Sequence, residues 1–167
     1  MDEPRRISRA AGDDAFRGTR FRRDVRKLLW TARHDPITLA LELVRSRWGP
    51  NFGVQIGAHV DGIVQPVSFD PREISSYVLY THLGTQARPF DESLLNFERE
   101  IRAEERGPAI ARELRMRALP LLERLATLDG VRAFAADEPA DSGFGQRLRW
   151  LLGVGPRPEW MQWDPPA

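Results

Sequence analysis

The chain has no cysteine, which removes disulfides, thiol nucleophiles and thiolate metal sites together. It has one lysine, Lys27; every other basic residue is an arginine, a bias that GC-rich codon usage explains without any selection for guanidinium groups. Histidine is scarce: His34, His59 and His82 are the only three. They form neither His-x-His nor His-x-x-x-His, so no metal or cofactor is expected. No serine sits in a Gly-x-Ser-x-Gly elbow, and no glycine-rich loop joins a strand to a helix in a way that would cradle phosphate. No window approaches the length of a membrane span, and the opening Met-Asp-Glu-Pro-Arg-Arg has no apolar signal region. These absences lead to the expectation of a soluble, cytoplasmic protein with no membrane partner.

What is present is 167 residues of ordinary globular composition, enough for one domain with one core. Formal charge is +1 overall. Residues 1–34 carry ten basic against five acidic side chains, a net of +5 that leaves −4 for the remainder. Two segments alternate strictly. Ile37, Leu39, Leu41 and Leu43 share one face of a strand while Thr38 and Glu42 share the other. Phe52, Val54, Ile56, Ala58 and Val60 form a second apolar row, opposite Gln55 and His59. One dry face and one wetter face is the pattern of an antiparallel sheet covered on one side. Gly49-Pro50-Asn51 supplies the reversal.

Flanking segments extend the pattern. Residues 25–32 read as a strand before the His34-Asp35-Pro36 turn, and residues 75–83 as a strand after a proline-containing loop. From Asp91 the period becomes helical: residues 92–106, then a stripe from Ile110 to Leu128 interrupted at Pro120, then residues 145–152. Gly107-Pro108 is read as closing one helix and opening the next. The fold class expected is therefore α+β: a four-stranded, mainly antiparallel meander with C-terminal helices packed on one face. Residues 1–15 are expected to be a flexible N-terminus, 16–152 a single domain, and 153–167 a Pro/Trp-rich tail carrying Trp160 and Trp163.

The turn Arg45-Ser-Arg-Trp-Gly49 and the strand Phe52-Gly-Val-Gln-Ile-Gly57, with Tyr80-Thr-His-Leu83 and a leucine-rich run at 118–125, resemble an uncharacterised bacterial family, the domain of unknown function 4304. Over residues 18–137 the likeness includes Gly18-Thr-Arg-Phe-Arg-Arg23 and Val44-Arg45-Ser46, where the family pattern has a glutamine that this chain lacks. The resemblance implies the fold and supplies no active site.

Three functional readings follow. The first is a non-catalytic module binding another protein, through the uncovered sheet face and its turns. Arg45, Arg47, Trp48, Asn51 and Gln55 are its candidate contacts, since arginine and tryptophan are enriched at interface hot spots. The second is a hydrolase-like or metal-binding enzyme built on His59, His82 and Glu42 of that same face; the plainer explanation of each is a structural or solvated side chain. The third is nucleic-acid binding by residues 17–27, where arginines surround Phe21 and could neutralise phosphates while the ring stacks on a base. Interspersed acids and the near-zero net charge weigh against it.

Overall fold

The computed structural model of the protein describes residues 2–63, 65, 67–138 and 143–162. Five strands form one antiparallel meander: β1 (Arg22–Arg23), β2 (Leu29–His34), β3 (Ile37–Arg45), β4 (Phe52–Val60) and β5 (Leu79–His82), in sequence order across the sheet. The expected count of four is corrected by β1. This two-residue edge strand pairs Arg22 with Thr31 and Arg23 with Trp30; it is too short to show alternation. The β3–β4 register is continuous from Ile37↔Val60 to Arg45↔Phe52, so the two apolar rows fall on one face, where all nine of their residues are buried.

Helices cover that face. α2 (Ala103–Glu113) leads through a π turn (Leu114–Ala118) into α3 (Leu119–Arg124), followed by α4 (Leu128–Asp137) and α5 (Gly143–Leu151). Ile110, Leu114, Leu122, Val131, Phe134 and Leu148 join the sheet residues in one core. The helix expected over residues 92–106 is a single 3-10 turn, Glu92–Leu95, followed by irregular chain. Asp91 caps the turn by accepting from Ser93 N. The helix cannot continue because the carbonyls of Leu94, Asn96 and Arg99 all turn inward to accept from the buried Arg106 guanidinium. Gly107-Pro108 lies inside α2 rather than between two helices.

The N-terminal segment is also corrected. Residues expected to be flexible form α1 (Glu3–Ala15), capped by Asp2, which accepts from Arg5 N, with Pro4 in the first turn. Ile7, Ala11 and Ala15, four residues apart, are buried. Gly12 is required for this packing, since a Cβ there would run into the Trp30 ring. Trp30 in turn donates its indole N–H to Asp13 Oδ1 at 3.0 Å.

Candidate functional site

On the face opposite the core, pairing sets the polar side chains in rows. Leu29 pairs with Glu42, Glu42 with Gln55, and Gln55 with His82. Gln55 Nε2 lies 3.3 Å from His82 Nε2. Glu42 is half-buried, and loss of solvent raises its pKa above the ordinary carboxylate value against the pull of Lys27. His59 belongs to a different row, opposite Thr38. It lies four residues beyond Gln55 on β4, about 13 Å along the strand at about 3.3 Å per residue. Glu42 and His82 are thus neighbours of one glutamine, while His59 stands apart from both.

His59 is enclosed as well. Its ring stacks on Phe69 with centroids 3.6 Å apart and planes 3° from parallel, and Tyr77 meets it edge-on at 6.5 Å. Burial pushes its pKa below the ordinary histidine value, assisted by Arg33 and opposed by Asp61. Nδ1 is buried without a hydrogen-bond partner. The expectation of an uncovered sheet face therefore fails over its middle. There Leu29, Ala40, Ile74 and Tyr77 make a second small core with Phe69 and Tyr80 beside it. Gly57 makes room for this layer: a Cβ there would come within 3.0–3.1 Å of Ile74 and Tyr77. Among the described residues no three His, Asp or Glu side chains are grouped to hold a metal ion.

The hairpin residues stay together at one end of the sheet. Ser46 N donates to Asn51 O at 2.7 Å, closing the turn. Trp48 is 82% exposed at its tip, with the Arg47 guanidinium 4.8 Å above its ring. Arg45 pairs with Asp2 of the α1 cap. Asn51 bridges to Asn96 and so ties the hairpin to the irregular chain before α2; its buried Oδ1 has no partner. Gln55 lies away from this group, in the Glu42–His82 row.

The basic segment splits up. Phe21 is buried against Phe16 with centroids 4.7 Å apart, so it presents no ring to a base. Arg17 and Arg23 pair with Asp14 and Asp13, and Lys27 with Glu73. Asp24 accepts from the backbone N–H groups of Arg26 and Lys27. The loop they form leaves Val25 79% exposed. That loop and the β3–β4 turn leave the sheet at the same end, because β2 starts at Leu29 opposite Glu42 of β3. Arg5 of α1 stands between them, donating to Arg26 O.

One cavity had no counterpart among the sequence expectations. A hollow of about 480 Å³ opens where β5, the π turn, α3 and α4 meet, with Leu83, Arg88, Arg117, Arg124 and Phe134 in its wall. Its residues come from three separate stretches of chain, 83–89, 116–124 and 134–137, and the one signal near it, Pro120 within a helical stripe, indicates a kink rather than a pocket. No family model, curated protein or solved structure matches this chain.

Proposed function

We propose that this chain is a non-catalytic cytoplasmic module that binds an acidic segment of another protein with the hairpin end of its sheet. The observation that carries the reading is Trp48, an indole left 82% exposed on a six-residue turn between two nine-residue strands. A large apolar ring held outward on so short a turn costs little ordering entropy when a partner covers it. Arg47 beside it and Val25 on the adjoining loop extend the patch. Charge complementarity points to an acidic partner: the side chains of Arg5, Arg26 and Arg47 make no ion pair with a carboxylate among the described residues, whereas most neighbouring cations do. The family resemblance remains a proposal alongside this one, carried by the same turn and strand. The enzyme reading loses support because His59 is sealed under Phe69, about four residues of strand from the Glu42–Gln55–His82 row.

Selection of a random peptide library against the full chain tests the reading, with binding of the recovered peptides measured by fluorescence anisotropy. Peptides rich in Asp and Glu should be recovered, and Trp48→Ala should weaken them at least tenfold, the effect of a hot-spot residue, with an unchanged melting temperature. Recovery of no acidic peptide, or equal binding by Trp48→Ala, overturns it. Tighter binding of a single-stranded oligonucleotide than of any peptide would overturn it in favour of nucleic acid.

A further inference from the structure

We propose that the cavity beneath the π turn binds a small organic monocarboxylate with an apolar body. Its volume, about 480 Å³, falls in the range of about 300–1,000 Å³ typical of ligand pockets. The apolar part of the wall is Leu83, Leu121 and Phe134, with Met116 at the mouth, where it is 56% exposed. An unbranched thioether side chain adapts readily to differently shaped apolar groups.

The polar part is three guanidiniums, and each differs in how it is held. Arg88 lies 4.6 Å over the Phe134 ring and donates to Thr81 Oγ1 at 3.2 Å and to the buried Glu138 carboxylate. Those contacts fix its orientation from behind. Arg124 donates to Asp137 Oδ2 at 2.7 Å. Arg117 makes no hydrogen bond to any described residue; its ion-pair partner Glu113 is 3.7 Å away. A guanidinium has five N–H donors, so all three retain spare ones, and all three side chains line the same hollow. Because Glu113, Asp137 and Glu138 already stand beside these arginines, a dianion such as a phosphate monoester would meet three like charges. A carboxylate, with one charge and two acceptor oxygens, matches a fork of N–H donors and meets about half that repulsion.

The backbone is shaped for the same place. Leu119 N donates to Leu114 O, five residues back, so the helix carries one residue too many in this turn. Pro120 supplies a cause: it has no N–H for the carbonyl of Met116, and its ring would press on that carbonyl in a regular helix. The widened turn holds Met116 and Arg117 in the cavity wall. Single π turns within helices are found disproportionately where ligands bind.

Isothermal titration calorimetry of the full chain with octanoate and with 1-octanol tests the proposal. Octanoate should bind saturably at one site and octanol at least tenfold more weakly. Arg117→Gln, at an exposed position, should weaken octanoate at least fivefold while leaving octanol unchanged. Ala87→Trp, which sets an indole on the exposed rim, should abolish both. Absence of saturable octanoate binding, equal affinity for the alcohol, octanoate affinity unchanged by Arg117→Gln, or octanoate binding that survives Ala87→Trp would overturn the site.

Discussion

Leu41 and Ile56 face each other across β3 and β4 with no solvent exposure, and deleting either side chain leaves a hole that rigid strands cannot close. Leu41→Ala and Ile56→Ala should each cost about 2–5 kcal/mol in denaturant melts. Thr38 is on the opposite face, where its hydroxyl accepts from Arg33 Nη1 at 3.0 Å; Thr38→Ala should cost about 1 kcal/mol or less. Equal losses at the three positions would put the strand phase in error. His59 makes a different demand. Burial among Phe69 and Tyr77 lowers its pKa, with the Arg33 charge adding to the effect and Asp61 opposing it. The unfolded chain therefore takes up a proton first as pH falls, and its stability contribution, complete above the ordinary histidine value of about 6.5, is lost between there and the lower folded value. Melting temperature should fall between pH 7.5 and pH 5.5 in the wild type and fall less in His59→Asn. Parallel pH profiles for the two proteins would show that the imidazole is not held neutral by its surroundings.

At the scale of elements, period decided what could be read. The β3–β4 hairpin was legible because a two-residue repeat sustained over nine residues fits no other structure, and its pairing sets Glu42, Gln55 and His82 in a row as strand geometry requires. Alternation reports which side a residue faces and is silent on what else comes to that side. His59 reads as polar-face for this reason, yet the stretch from Phe69 to Tyr77 folds back over Gly57 and buries it. The N-terminal helix did carry a signal: Asp2 before Pro4, then Ile7, Ala11 and Ala15 at a spacing of four. Alanine buries so little surface that the stripe is overshadowed by the charged residues between. The expected helix at 92–106 failed through long-range competition, since Arg106 claims carbonyls up to twelve residues earlier. Nothing local in the sequence announces that an arginine will be buried to fasten a loop. The cavity wall was hidden for the same reason, as Arg88 and Arg117 meet only once β5 and the π turn pack.

For the whole molecule, the larger core joins one face of the sheet, α1 and the four C-terminal helices, and the last described stretch of chain packs beside it. Trp163 of the expected tail lies outside the described residues, whereas the tail as far as Gln162 packs on α5. Val154 N donates to Arg149 O at 2.8 Å, Arg157 lies 5.7 Å over the Trp150 ring, and Trp160 gives its indole N–H to Gln146 Oε1 at 2.7 Å. Met161 is buried, with Arg157 donating to its carbonyl at 3.0 Å. Against these gains stands the ordering of backbone, roughly 1–2 kcal/mol for each residue fixed, and Trp160 remains 53% exposed, so only part of its surface contributes. Ending the chain after Gly155 should lower the melting temperature, by about 2–4 °C for each kcal/mol that these contacts contribute in a protein of this size. It should also red-shift the emission of the remaining tryptophans, because Trp150 loses its cover. If the shortened chain melts unchanged, the tail contributes nothing to the fold. Trp160 would then join Trp48 as a second exposed indole available to bind a partner.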